Sequence, residues 1–238
     1  MVIKKMLRYF IKPFRKKRLR DNPNYCDCTN TIDTLLKHHK PTVLYDIGAH
    51  NGDWSQIILE SIPNDIYIAL FEPQKIHFNK LEELFGEKNN KHLFNVALGS
   101  SSESGIMKGG GASASLLDAN DAQHAIFPNS FNTNAIEETP IFTLDEIIEK
   151  HQLRFPDVIK IDVQGFELDV FKGAGNALKN TKYIIAELSF ISLYQNQPQL
   201  TELLQFLEYS NFKIVDFGHQ WRNNKNEIIQ VDAIFKKC

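Results

Sequence analysis

Two short runs place carboxylates at the ends of apolar segments. Asp46 sits near the end of Val43-Leu-Tyr-Asp-Ile47 and is followed by Gly48-Ala-His-Asn-Gly52. Asp162 sits near the end of Val158-Ile-Lys-Ile-Asp-Val163 and is followed by Gln164-Gly-Phe-Glu167. Each run reads as a buried strand entering a tight glycine turn and then a helix. In a parallel α/β sheet both turns fall at the carboxyl ends of their strands, where ligands bind. The first turn brings glycines for close backbone approach, and both bring carboxylates. That pairing points to an enzyme acting on a small molecule.

The glycines at 48 and 52 are spaced G-x-x-x-G, not G-x-G-x-x-G. A dinucleotide pyrophosphate needs close backbone approach at several points and a helix N-terminus. The missing third glycine therefore disfavours a nucleotide-linked dehydrogenase. A ligand without phosphates needs small residues at the turn and acceptors for ammonium and hydroxyl groups, and Asp46 supplies an acceptor. Glu72 follows the next apolar run directly. An acid at about that separation can take both hydroxyls of an adenosine ribose. Pro73 then stands at a tolerated first helical position.

The elements that must hold these groups alternate along the chain. Strands are expected at Val43–Ile47, Ile66–Phe71, Leu93–Leu98, Val158–Val163 and Tyr183–Leu188. Helices are expected at Trp54–Ser61, Gln74–Phe85, Leu144–His151, Glu167–Leu178 and Gln199–Ser210. Phe212–Phe217 and Ile228–Phe235 read as an antiparallel hairpin. Such alternation implies an α/β fold with a mainly parallel sheet covered on both faces. Residues 100–139 show little periodicity and read as one long irregular stretch, of the kind that is functional or disordered.

Further runs turn these features into a resemblance. Phe71-Glu-Pro73, Asn95-Val-Ala-Leu-Gly99, Thr143-Leu-Asp145 and Lys160-Ile-Asp-Val-Gln-Gly-Phe-Glu167 accompany the glycine turn, with Gly173-Ala174 and Glu187 beyond. The set resembles class I S-adenosylmethionine-dependent methyltransferases, and the FkbM type in particular, from residue 41 to residue 235. The resemblance implies a Rossmann-like fold with a mainly parallel seven-stranded sheet, helices on both faces and a C-terminal antiparallel hairpin. It implies that Asp46, Gly48 and Gly52 cradle the methionine part of S-adenosylmethionine, with His50 in the same turn. Glu72 would hold the ribose, Asn95 and Ala97 would border the adenine, and Asp162 would sit beside the sulfonium and the acceptor. The activity implied is O-methyl transfer, with a sugar hydroxyl of a glycan or glycoconjugate as acceptor. A lipid, polyketide or amine acceptor, or a non-catalytic membrane-associated scaffold, stays open as an alternative.

Gln164 stands where many relatives carry Glu. The proton acceptor is therefore expected to be Asp162, with Glu167 and Glu187 as partners; His50 is either a second candidate or a lining residue. Asp162 and Glu187 offer an oxygen-rich pair that could bind a divalent cation, but the expectation is no metal. Gly109–Ser115 is either a flexible linker or an acceptor lid with Ser113 and Ser115 as donors. Trp221 either stacks on a sugar face or anchors a core.

The net charge of −2 hides an asymmetry. Residues 1–20 hold nine of the 27 basic residues and no acid, whereas residues 21–238 hold 18 basic and 29 acidic residues, a net of −11. An acidic body disfavours a nucleic-acid-binding face. Val2, Ile3, Met6, Leu7, Phe10, Ile11 and Phe14 recur at helical spacing among the bases, so residues 1–20 read as an amphipathic basic arm. It would lie on an anionic membrane, pack on the domain or form a tail. Residues 21–40 read as a linker and short helix, and 41–238 as the methyltransferase domain. Cys26, Cys28 and Cys238 do not form a disulfide framework and read as reduced thiols. The expected location is cytoplasmic, peripheral at the inner membrane face through the arm. The oligomeric state is not encoded in any of these signals.

Overall fold

Near-continuous apolar runs suit strands buried on both faces, and the central strands have that character apart from single charges at Asp46, Lys160 and Glu187. The computed structural model describes residues 38–61, 66–86 and 90–238. Residues 1–20, Cys26 and Cys28 lie outside them, as does most of the short helix expected within residues 21–40, of which His38 and His39 are seen as helical. No described helix is long and apolar enough to cross a membrane.

Seven strands form the main sheet: β1 (Val43–Ile47), β2 (Tyr67–Phe71), β3 (Lys91–Phe94), β7 (Val158–Ile161), β8 (Tyr183–Ser189), β9 (Phe212–Arg222) and β10 (Ile228–Lys237). Their order is β3-β2-β1-β7-β8-β10-β9. The first five run parallel, and β10 pairs antiparallel with both β8 and β9. The fold is therefore the expected α/β sheet with a C-terminal hairpin.

Period-two alternation sends each strand's side chains to two cores. Tyr45, Ile47, Phe71, Ile159 and Ile161 face one, covered by helices α4 (Leu144–His151), α5 (Glu167–Lys172), α6 (Gly175–Asn180) and α7 (Leu200–Tyr209). Leu44, Ile68, Leu70 and Val158 face the other, covered by α1 (Asp53–Ser61) and α2 (Lys75–Phe85). Thr143 caps α4 in a reciprocal box with Glu146, which satisfies two otherwise orphan backbone donors. Asp145 then accepts from the Asn176 and Ala177 amides at the start of α6.

Three expectations about elements need correction. Leu93–Leu98 is not one strand: β3 ends at Phe94, and β4 (Ala97–Leu98) joins a second sheet. The break falls at Asn95, whose amide donates to the Glu72 and Pro73 carbonyls and so turns the chain. The stretch 100–139 is not irregular. It holds β5 (Glu103–Gly109), a 3-10 turn at Gly111–Ser113, α3 (Asp121–Ile126) and most of β6 (Asn132–Phe142). Strands β4, β6 and β5 form the small second sheet; its largely exposed residues gave no apolar period. Finally, Glu167–Leu178 is two helices broken at Gly173. A Cβ there would meet the Gly99 carbonyl oxygen at 2.0 Å, so only glycine fits at the break.

Candidate active site

The carboxyl ends of β1, β2 and β7 open on a cavity of about 220 Å³. One water needs only roughly 10–15 Å³ on such a measure, so the space suits a small molecule. Its walls are the turn after β1 (Gly48, Ala49, His50), Asp53 and Trp54 of α1, Phe71 to Gln74, and Val96 to Leu98. Met107, a strap of Gly111, Ala112 and Ala114, Leu116, and Lys160 with Asp162 to Gln164 complete it.

Gly48 has φ +79, and a Cβ on it would lie 1.9 Å from the Asp162 carbonyl oxygen. The glycine thus lets the β1 turn touch the β7 turn, backbone to backbone. Gly52, with φ +75, faces Phe85 and Leu81 instead. It does not line the cavity, because its space is taken by α2.

Glu72 is almost fully buried. Its Oε2 accepts from the His50 amide at 2.8 Å and its Oε1 from the Gln74 amide at 2.9 Å. Burial pushes its carboxyl up to about 7 in spite of those two donors. His50 takes a positive φ of 49, and its ring packs tilted by 39° against His77, centroids 3.9 Å apart. Burial lowers both imidazoles, His77 to about 4. Nε2 of His50 is buried and has no hydrogen-bond partner among the described residues.

Asp46 does not line the cavity, contrary to expectation. Its carboxylate is wholly buried, with Oδ2 accepting from Ser55 Oγ at 2.6 Å and Oδ1 3.5 Å from Lys160 Nζ. The same ammonium lies 3.6 Å from Asp162 Oδ2 and 3.4 Å from the Gly48 oxygen. Burial alone would lower the Lys160 pKa. The carboxylates of Asp46, Asp162, Asp232 and Glu187 outweigh it and raise it. Lys160 is thus a fixed cation bridging the two strand-end acids.

Asp162, partly exposed, lines the cavity, and its Oδ1 accepts from Gln164 Nε2 at 2.8 Å. Gln164 also reaches Glu187 Oε2 at 3.3 Å. Glu187 and Glu167 border a separate space of about 20 Å³, room for one water. Burial raises Glu187 well above the usual carboxylate range, and Asp162, Asp232 and Glu167 add to it. Glu167 is tied to the turn: Oε1 accepts from the Val163 and Gly165 amides. Burial also pushes this carboxyl up to about 7.

The remaining expected site residues divide. Ala97 lines the cavity, whereas Asn95 spends its amide on the Glu72 and Pro73 carbonyls. Ser115 is fully buried, donates to the Gln164 oxygen and accepts from the Leu117 amide, so it is not a free donor. Ser113 contributes its carbonyl, held by Tyr194. Trp221 is half-exposed on β9 against Phe127 and His219, away from the cavity lining.

The Methyltransferase FkbM domain matches residues 46–214. The chain belongs to that family. A hexuronic acid methyltransferase, AglP, of Haloferax volcanii is 29% identical over 160 residues, 67% of this chain and 61% of that protein. A 2-O-methyltransferase, NoeI, of Sinorhizobium fredii is 28% identical over 185 residues, 74% of each. A crystal structure of the FkbM methyltransferase from Methylobacillus flagellatus shares the fold at TM-score 0.51 and 15% identity, covering 83% of this chain and 44% of that one.

In this FkbM-family chain, four site residues escaped the sequence reading. Lys160 and Asp232 face the same side of the sheet as Asp162 and Glu187: Asp46 pairs with Lys160, and Glu187 with Asp232. Period-two counting back from Asp162 would have found Lys160. Gln74 clasps Gly111 with two hydrogen bonds, Nε2 to its oxygen and its amide to Oε1. Neither that contact nor Tyr194 leaves a local signal, because both span long sequence separations.

Proposed function

We propose that this chain is an S-adenosylmethionine-dependent O-methyltransferase acting on a sugar hydroxyl of a glycan or glycoconjugate. One observation carries the reading: a single cavity is lined both by the Glu72 carboxylate at the end of β2 and by Asp162 at the end of β7. The cavity residues fit the cofactor. Glu72 suits ribose hydroxyls, and Phe71, Val96, Ala97 and Leu98 make an apolar slot for an adenine ring. The unpartnered Nε2 of His50 leaves one buried polar atom for a ligand group. The sugar acceptor is supported by the two relatives, whose names specify a hexuronic acid and a 2-O position.

When bound, the cofactor supplies a methyl group already activated on a sulfonium. What is left to the protein is alignment and the removal of one proton. Asp162 takes the acceptor's hydroxyl proton, its carboxylate oriented by Gln164 at Oδ1 and by Lys160 3.6 Å from Oδ2. Lys160 balances the negative charge of Asp46 and Asp162. Glu187, made more basic by burial and its acidic neighbours, lies next in the hydrogen-bonded row. Met107, Ala114 and Leu116 keep water from the apolar side of the cavity.

The basic arm at residues 1–20 belongs to the same proposal, as a salt-sensitive attachment to the anionic cytoplasmic membrane face, near lipid-linked glycans. The activity is tested by methyl transfer from labelled cofactor to a panel of glycans. Label on a sugar hydroxyl is expected. Label only on lipid or amine acceptors would overturn the acceptor class.

A further inference from the structure

Gln164 holds a costly conformation. Its φ of +56 lies in the left-handed region, which strains a residue with a side chain unless its surroundings fix it. Its hydrogen bonds do so. Nε2 donates to Asp162 Oδ1 at 2.8 Å and to Glu187 Oε2 at 3.3 Å. Oε1 accepts from the Tyr194 hydroxyl at 2.8 Å, and the backbone oxygen accepts from Ser115 Oγ at 2.8 Å. A primary amide donates at one end and accepts at the other. A carboxylate could not donate to the two acids, and an ammonium could not accept from Tyr194.

The other end of this row is the strap. Gly109, Gly110 and Gly111 all have positive φ, so the backbone turns where side chains would be strained. Beyond them Gln74 clasps Gly111, and the Tyr194 hydroxyl meets the Ser113 oxygen at 2.9 Å. Gly111, Ala112 and Ala114 line the cavity. Tyr194 is 1% exposed, so its hydroxyl cannot turn to bulk water. It has one proton for two acceptors, Ser113 O and Gln164 Oε1. Moving the strap therefore changes how firmly Gln164 is held.

We propose that Gln164 is a positioning residue that joins the strap to the reacting carboxylates: through Tyr194 it couples closure of residues 111–115 over the acceptor to the orientation of Asp162 and Glu187. The coupling rests on the methyl-transfer reading for its purpose, but not for its existence. Glu187 is faced by Asp162, Glu167, Asp232 and Lys160, and its Oε2 accepts from Gln230 Nε2 at 2.5 Å as well as from Gln164. Its titration therefore reports any loss of the Gln164 donor.

The test uses the full chain, Gln164→Glu and Tyr194→Phe. Carboxyl carbon NMR follows the titration of Asp162 and Glu187, and hydrogen exchange follows the amides of residues 112–115. Gln164→Glu replaces a donor by a like charge, so the Glu187 midpoint should rise by about one unit or more. Turnover should fall about 10–100-fold while S-adenosylhomocysteine affinity stays within about twofold. Tyr194→Phe should speed exchange in 112–115 at least about tenfold and move the Glu187 midpoint, although it touches neither carboxylate. Faster strap exchange with both midpoints unchanged would overturn the coupling. If Tyr194→Phe does not fold, unaltered strap exchange in Gln164→Glu would overturn it, and altered exchange would support it. A wild-type chain that methylates no glycan would sink the proposed function, while the titration and exchange measurements would still decide the coupling.

Discussion

The carbonyl oxygen of Asp162 lies 1.9 Å from the point where a Cβ on Gly48 would stand. The two ligand-facing turns are therefore in backbone contact, and the spacing of the cavity's walls depends on one missing methyl group. Gly48→Ala must both adopt φ +79 and push the β7 turn away. Strain of that kind costs roughly 1–3 kcal/mol before any displacement. The variant should melt about 4 °C or more below wild type and bind S-adenosylhomocysteine more weakly. An unchanged melting temperature in calorimetry would show that the turns can part freely.

Glu72 is the residue proposed to hold the ribose, and its two oxygens also fasten the His50 and Gln74 amides. Glu72→Gln keeps a side chain of the same shape but removes the charge and one acceptor. Affinity for S-adenosylhomocysteine should fall by about 1.5–3 kcal/mol. Titration calorimetry reads this directly, and tight binding of NAD in place of S-adenosylhomocysteine would argue against the whole assignment.

Stability should depend on pH in two windows. Glu72 and Glu167 are pushed up to about 7 from 4.5, and Asp232 to about 6 from 3.8. Groups raised by folding stabilise the fold fully below their unfolded values, and that contribution is lost as pH rises through the folded ones. The loss is on the order of 3 kcal/mol for each glutamate. Asp157 behaves oppositely. Hydrogen bonds from Lys182 and Thr42 outweigh burial and hold it at about 2, so its contribution is present above 3.8 and lost as pH falls through 2. These acids pull the melting temperature down as pH rises from about 4.5 to about 7, while His50 and His77, lowered by burial, lose their contribution as pH falls below 6.5 and oppose that trend. Glu167→Gln should flatten the decline. A pH profile that Glu167→Gln leaves unchanged would contradict the burial of that acid.

Much of the fold was legible because the central strands and most helices obey simple periods. Val43–Ile47 and Leu144–His151 fall where their apolar spacing puts them. What failed was decided at long range. The helix break at Gly173 falls where the chain lies against the Gly99 backbone, and Asn95 ends a strand because it holds two carbonyls of the preceding turn. The runs that carried the family resemblance are partly scaffolding: Thr143 and Asp145 cap α4 and α6. In the site, Glu72, Asp162, Gly48, His50 and Ala97 reach one cavity. Asp46 turns away toward Lys160 and Ser55, since a buried carboxylate seeks a cation and a donor. Strand period alone could have placed that lysine.

Removal of residues 1–20 should leave S-adenosylhomocysteine binding intact, because every cavity residue lies beyond Val43. It should abolish co-sedimentation with anionic vesicles at low salt, as each basic side chain near such a surface is worth about 1 kcal/mol. Equal sedimentation of full-length and shortened chains would remove the membrane from the account.

The central claim is that Asp162 accepts the acceptor's proton in the cavity whose far end holds the cofactor. Asp162→Asn keeps the side-chain shape and removes the base. Turnover with a methyl-accepting glycan, measured beside S-adenosylhomocysteine affinity on the same preparation, is the most direct test. The account predicts turnover lower by about 10²–10⁴ with affinity nearly unchanged. Near-normal turnover would contradict it and move the role to Glu187 or His50.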